Sequence, residues 1–154
     1  MERSVVNKSG TIYFMRCIIR EMEPSDFPKI IMLLSQLEGV RVHPSENQEW
    51  HNSFIVKNKG LCFIASMAEQ IVGCIYCGND GRRATIYHLG VMREHQLSGV
   101  GRKLMETLEK QLKSTNIKRA QLVVVKTNQS AIQFYIKNHW QLREDLAFMV
   151  KDLD

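Results

Sequence analysis

"QLSGVGRKL", residues 96–104, sets two glycines one position apart, follows them with two cations, and runs into an apolar helical pattern. Glycine at a helix start costs about 1 kcal/mol relative to alanine. A chain accepts that cost where something must approach the backbone closely. Upstream, RATIYHLGV (83–91) alternates as a strand; downstream, Val100, Leu104, Leu108 and Leu112, with Met105 beside them, mark an amphipathic helix from 100 to about 114. Strand, glycine loop and helix together aim backbone N–H groups and a positive helix end at one point, which makes an anion site. Two familiar glycine loops fail here. A Walker A loop ends in Gly-Lys-Ser/Thr, whereas Gly101 is followed by Arg102 and Lys103. A dinucleotide fingerprint needs a third glycine where Leu104 stands and an acid after the next strand, and none follows Val125.

Working outward, RCIIREM (16–22) reads as a first strand, and Pro24-Ser25 opens a helix to about Leu37 with Phe27, Ile30, Ile31, Leu34 and Leu37 on one face. Ser45-Glu46-Asn47-Gln48 has capping-box form and predicts a second helix to about Val56. LCFIASM and IVGCIYCG, separated by Ala68-Glu69-Gln70, predict a hairpin without the favoured Asn-Gly turn. QLVVVK (121–126) reads as a buried strand, Asn128 to Asn138 as a helix, and Leu142 to Val150 as a final strand. Residues 1–14 show no clear period and are expected to be an extension, with one domain over 15–154.

The 154 residues suit one domain with a proper core, and 44% hydrophobic and 24% charged residues are ordinary globular values. No apolar run approaches the roughly 20 residues that span a bilayer, and the first residues lack the pattern of a signal peptide. These features predict a cytoplasmic protein with no membrane partner. Four scattered cysteines make no disulfide framework. Cys74 and Cys77 form a CxxC on a strand, where residues three apart face opposite sides, so buried thiols are expected and no metal. The net charge is +5. From Arg93 to Arg119, seven cations face three acids, which suits an anionic ligand. The cations lack the interleaved aromatics of a nucleic-acid surface, so no nucleic-acid partner is expected.

Gln96-x-x-Gly-x-Gly resembles the pyrophosphate loop of the GNAT superfamily of acyl-CoA-dependent N-acetyltransferases. Three further matches lie at the family's intervals: the strand ending Leu89-Gly90-Val91, the strand QLVVVK, and Asn128-Gln129-Ser130-Ala131-Ile132-Gln133-Phe134-Tyr135, similar to Asn-x-x-Ala-x-x-Phe-Tyr. The segment 87–112 looks closest to small bacterial YpeA-like GNAT proteins. The resemblance covers about 16–154 and implies an α/β fold, a single GNAT domain. Its mixed central sheet would follow the order β-α-α-β-β-β-α-β-α-β, with helices on both faces. Two departures stand out: His139-Trp140 replaces the usual Gly-aromatic pair, and the loop carries Gln and Ser where arginines are commoner.

The resemblance implies acetyl-CoA as co-substrate. Its pyrophosphate would lie on Gln96, Leu97, Ser98, Gly99, Val100 and Gly101, with help from Arg102 and Lys103. Its pantetheine would run along the main chain of Leu89, Gly90 and Val91. Asn128, Ala131, Ile132 and Tyr135 fall at i, i+3, i+4 and i+7, on one helix face. At about 1.5 Å rise per residue, Asn128 and Tyr135 are roughly 10 Å apart along the axis. The amide can then grip pantetheine, Ala131 leaves room, and Tyr135 is the implied general acid at the sulfur. The base stays open between Tyr87, His88 and water: alternation puts Tyr87 on the face of Thr85 and turns His88 the other way. Protein-lysine acetyltransferases of the family carry a glutamate where Thr85 stands. Trp50 and His51 fall where the family builds its acceptor wall. The implied activity is acetyl transfer to a primary amine, that of a small molecule first, by direct attack on the thioester. The alternatives are a protein lysine or N-terminal acceptor, or a non-catalytic acyl-CoA sensor, in a monomer or homodimer.

Overall fold

A computed structural model describes residues 2–6 and 12–153, with side chains from residue 16 onward. Its elements are β1 (Glu2–Val6), β2 (Ile12–Arg16), β3 (Ile18–Glu21), α1 (Phe27–Ser35), α2 (Gln48–Lys57), β4 (Phe63–Met67), β5 (Gln70–Asn79), β6 (Ala84–Val91), α3 (Val100–Ser114), β7 (Ala120–Leu122) and α4 (Gln129–Lys137). The described residues up to Val123 form one compact body and those from Val124 onward a second.

The first body holds a five-stranded sheet in the order β3-β4-β5-β6-β7. All neighbours are antiparallel except β6 and β7, which run parallel. Helices cover both faces. Gly90 faces α1, where an added Cβ would fall 2.7 Å from Leu34 and 2.9 Å from Leu37. The neighbouring pleat at Gly73 faces Val100 and Leu104 of α3. The predicted row Val100, Leu104, Met105, Leu108 and Leu112 is buried there. On the α1 side, Ile30, Leu33, Leu34, Ile64, Cys74 and Tyr76 form a core cluster. All four cysteines are free and buried, and burial pushes the Cys62, Cys74 and Cys77 thiols up to about 12.

Several expectations need correction. The stretch 1–14 is not unpatterned: β1 and β2 pair antiparallel, from Glu2 opposite Arg16 to Val6 opposite Ile12. The capping box at Ser45 does not start α2. His43 N–H donates to Glu46 there to close a turn, and Asn47 caps the helix by accepting from Trp50 N–H at 2.9 Å. The β4–β5 turn does without Asn-Gly because Ala68 and Glu69 both take positive φ, 45° and 66°, at a cost of about 1–2 kcal/mol each. No helix among the described residues is long and apolar enough to cross a membrane.

The strand expected over 121–126 shrinks to β7, 120–122, with Val123 exposed. In the second body, Val125 O accepts Asn128 N–H at 2.8 Å as the chain turns into α4. The final strand expected over 142–150 is absent, since 141–153 contains no strand. A bidentate Arg143–Asp145 pair, 2.6–2.7 Å, closes a turn inside that stretch instead. The mixed sheet with helices on both faces stands; its last β does not.

Candidate active site

Three groups of residues carry chemistry. The first is the end of β6 with the glycine loop. β6 pairs with β7 only over 84–86, so from residue 87 onward its outer edge leaves the ladder. Met92 N–H donates to Val72 O across to β5. By the two-residue period Gly90 turns the same way, while Leu89 and Val91 turn their backbone groups to the open edge. Gln96 Nε2 donates to Val91 O at 3.0 Å, so this side chain braces the strand end. The loop then bends sharply: Leu97 takes φ +58° and lies fully exposed, and Gly99 takes φ +88°. Gly99 is the N-cap of α3 and supplies no side-chain cap. The first N–H groups of α3 therefore lack an intrahelical acceptor and have no side chain competing for them. This is the arrangement an anion needs.

Side chains around the loop divide. Ser98 Oγ donates to His95 O. Arg102 is exposed, whereas the Lys103 ammonium donates to Cys17 O at 2.7 Å. His95, which opens the loop, is buried, and its Nδ1 is the one buried side-chain polar atom among the described residues without a partner. Such an orphan is uncommon and marks a place where a partner belongs.

The second group is an aromatic wall. The Trp50 and Phe54 rings lie 4.9 Å apart, each against Tyr76, and Phe54 meets Tyr87 edge-on at 5.3 Å. Ser45, Asn47, Glu49, Trp50, Ser53 and Phe54, with Lys57, line an open cavity of about 410 Å³ beside it. His51 is fully buried and structural: its Nε2 donates to Glu23 O at 3.0 Å, and its Nδ1 accepts from the Tyr76 hydroxyl at 2.6 Å.

Here alternation misleads. The β5–β6 register slips, with Tyr76 opposite His88 but Cys77 opposite Ile86, so Tyr87 sits in a bulge. Both Tyr87 and His88 therefore turn to the α2 side, Tyr87 against Phe54 and His88 against Tyr76. His88 does not point away as expected. It is buried, and its Nε2 lies 3.0 and 3.1 Å from the Glu46 oxygens. Burial would raise the Glu46 carboxyl; the hydrogen bond and charge of His88 outweigh it and hold the group below its ordinary value. Sequence reasoning missed Glu46, whose only signal was a capping box that serves another purpose. Thr85 Oγ1 accepts from Gln121 Nε2 at 3.2 Å.

The third group lies in the second body. Asn128 Oδ1 accepts from Ala131 N–H and Ser130 Oγ at 3.1 and 3.0 Å, so it caps α4. Ala131, Ile132 and Tyr135 share the half-buried side of the helix, as spaced. The Tyr135 ring packs between Phe134 at 5.3 Å and Trp140 at 5.7 Å, and burial pushes its phenol up to about 12. His139 takes φ +66°, the left-handed conformation that favours the family's glycine at that place.

The profile of the Acetyltransferase (GNAT) family matches residues 19–140, most of the chain and part of each body. The chain belongs to that family. It is an acyltransferase that works with acetyl-CoA. An acetyltransferase of Sodalis glossinidius is 26% identical over 135 residues, 88% of this chain and 94% of its own length. Among solved structures, Ard1 from Thermoplasma volcanium superposes with a TM-score of 0.71 at 22% identity, covering 79% of this chain and 80% of its own. A soil-metagenome aminoglycoside acetyltransferase in complex with trehalose gives 0.70 at 18%, covering 91% and 97%. At those identities the superpositions speak for the fold.

Proposed function

We propose that this GNAT protein transfers the acetyl group of acetyl-CoA to a primary amine of a small molecule. The observation that carries the reading is the open edge of β6 at Leu89 and Val91, followed by the uncapped, glycine-led start of α3. The pyrophosphate would rest on the N–H groups of residues 98–102, with Arg102 as the free cation and Gln96 holding the strand end in place. Lys103 takes no part. N–H groups on the open edge hold pantetheine and polarise the thioester carbonyl, where developing negative charge is worth most. Asn128 and Ala131 attend the pantetheine. Tyr135, a phenol that holds its proton at neutral pH and that burial pushes up to about 12, donates that proton to the departing thiolate.

A small acceptor is favoured over a protein lysine because Thr85 stands where the lysine-modifying members carry glutamate, and it is engaged by Gln121. The Trp50, Phe54 and Tyr87 rings beside Glu49 suit a cationic amine. Free-thiol release from acetyl-CoA over a panel of aminoglycosides, diamines, amino acids and peptides tests it. Turnover of small amines supports the proposal; turnover of peptides alone replaces it with a protein acceptor. Acetyl-CoA binding without turnover of any amine leaves a sensor.

A further inference from the structure

We propose that the acceptor carries a carboxylate as well as the reacting amine: an ω-amino acid, with its ammonium at Glu49 and its carboxylate at Lys57. This deepens the small-amine reading above and rests on it. Glu49, Ser53 and Lys57 line the cavity of about 410 Å³ and follow at i, i+4 and i+8, one row along α2. Trp50 and Phe54, which also line it, form the next row. Glu49 and Lys57 stand at opposite ends, roughly 12 Å apart along the axis at about 1.5 Å per residue. Both are exposed, and neither side chain has an ion-pair partner among the described residues. The contacts of α2 fix which end faces the chemistry. Near its start, Trp50 packs on Tyr76 at 5.4 Å, and Tyr76 lies opposite His88. Near its end, Asn58 accepts from Asn79 N–H at 3.3 Å, and Asn79 lies opposite Ala84. The open edge of β6 follows His88, so Glu49 stands at the thioester end of the row and Lys57 at the far end.

A carboxylate at the near end draws the acceptor ammonium in, and the rings between the ends suit a methylene chain and its cationic head. At the far end an unpaired Lys57 offers an anion a charge-assisted hydrogen bond. It also disfavours a second ammonium there, so the same side chain selects against diamines. An α-amino acid carries both charges on one carbon and cannot span the row; an ω-amino acid sets a chain of methylenes between them. Glu49 in the first turn and Lys57 in the last also complement the helix dipole. That role alone predicts a change in stability on substitution and none in the choice of acceptor.

The test compares 6-aminohexanoate with 6-aminohexanamide, which matches it in length and lacks only the charge, and with hexane-1,6-diamine and glycine. Thiol release from acetyl-CoA reads turnover, and calorimetry on the full chain with CoA present reads binding. The acid should show a KM and a Kd at least about threefold below those of the amide, the reach of a partly exposed ion pair. Diamine and glycine should both be poorer than the acid, and the preference should fade in about 0.5 M salt, which screens surface charge. Lys57→Gln should erase the difference between acid and amide while leaving kcat on the amide nearly unchanged; Lys57→Glu should bring the diamine to the front. Glu49→Gln should raise KM for acid and amide alike. Equal constants for acid and amide in the wild type overturn the proposal. So does a preference that survives Lys57→Gln with only a lower melting temperature, which would leave Lys57 a helix-dipole residue. If no small amine turns over, the reading above fails and calorimetry decides the cavity alone. Acid binding that Lys57→Gln abolishes then keeps it as an ω-amino-acid site, and no acid binding removes it.

Discussion

The Tyr76 hydroxyl sits 2.6 Å from His51 Nδ1, and both side chains are fully buried between the sheet and α2. Burial pushes the Tyr76 phenol well above its ordinary value, and because His51 Nε2 gives its hydrogen to Glu23 O, the phenol is the donor to Nδ1. Tyr76→Phe keeps the ring against Trp50, Phe54 and His88 but leaves a buried imidazole nitrogen without a partner. The expected loss is about 1–3 kcal/mol, read as a lower denaturation midpoint with an unchanged m-value. A loss below a few tenths would mean that water takes the hydroxyl's place.

Arg20 grips buried Asp26 with two hydrogen bonds of 2.7 Å, and Glu23 N–H adds a third at 2.8 Å. Burial alone would raise the Asp26 carboxyl; the arginine outweighs it and holds the group below its ordinary value. A depressed carboxyl stabilises the fold above its unfolded pKa, about 3.9, and the contribution is lost as pH falls through the lower folded value. Asp26→Asn should therefore melt below wild type at pH 7, and the two curves should converge toward pH 3. Curves that stay parallel would show that packing, not charge, sets the cost.

Gly90→Ala places a Cβ within 2.7 Å of Leu34 and 2.9 Å of Leu37, both in the α1 core. Overpacking of this kind costs about 1–3 kcal/mol. The melting temperature should fall while the acetyl-CoA shift persists, since the damage is to the α1 face and not to the open edge. Loss of the shift with no change in stability would place the co-substrate against Gly90 itself.

Acetyl-CoA at a hundredfold over its Kd should stabilise the protein by about 2.7 kcal/mol through mass action. Gly99→Val should abolish that shift, because Gly99 has φ +88° and a branched side chain there is both strained and in the way of phosphates. ATP at the same concentration should give less. An equal shift with ATP, or an intact one in Gly99→Val, would remove the loop from the site.

The element order from β3 to α4, the α3 row and the glycine loop were legible because periodicity and turn chemistry report local structure directly. The aromatic wall was legible only as Trp50, the one member whose helix position was plain. Alternation gives Tyr87 its face, that of Thr85, but turns His88 the wrong way, because a bulge breaks the alternation and is set by the register of β5 against β6, which no single strand encodes. Glu46 was hidden for a related reason: Ser45-Glu46-Asn47-Gln48 reads as a helix start, while Asn47 takes the cap and frees the carboxylate for His88. The contact of the Lys103 ammonium with Cys17 O, 86 positions away in the chain, has no signal in the local sequence. The segment 142–150 alternates well enough to predict a strand, yet none forms there: its residues lie exposed, with a turn at 144–145 and no neighbouring strand to pair with.

The last prediction concerns α4 and separates enzyme from binder. Tyr135→Phe removes one proton and little volume, and the ring keeps its place between Phe134 and Trp140. If the hydroxyl protonates the thiolate, kcat should fall at least about tenfold, at the low end for general acid catalysis because water can substitute in part. Acetyl-CoA affinity should stay within about threefold. Asn128 needs a subtler variant, because Asn128 Oδ1 caps the helix and alanine would cost about 1 kcal/mol of stability by itself. Asn128→Ser keeps a good cap and removes only the amide, so any weakening of acetyl-CoA binding would belong to the lost pantetheine contact. That variant should raise the acetyl-CoA KM with little change in kcat, the signature of a contact made equally in ground and transition states. Should Tyr135→Phe leave kcat intact on a genuine acceptor, the tyrosine is a packing residue and the acid is water or another group. Should Asn128→Ser leave KM unchanged, the asparagine is a cap and nothing more.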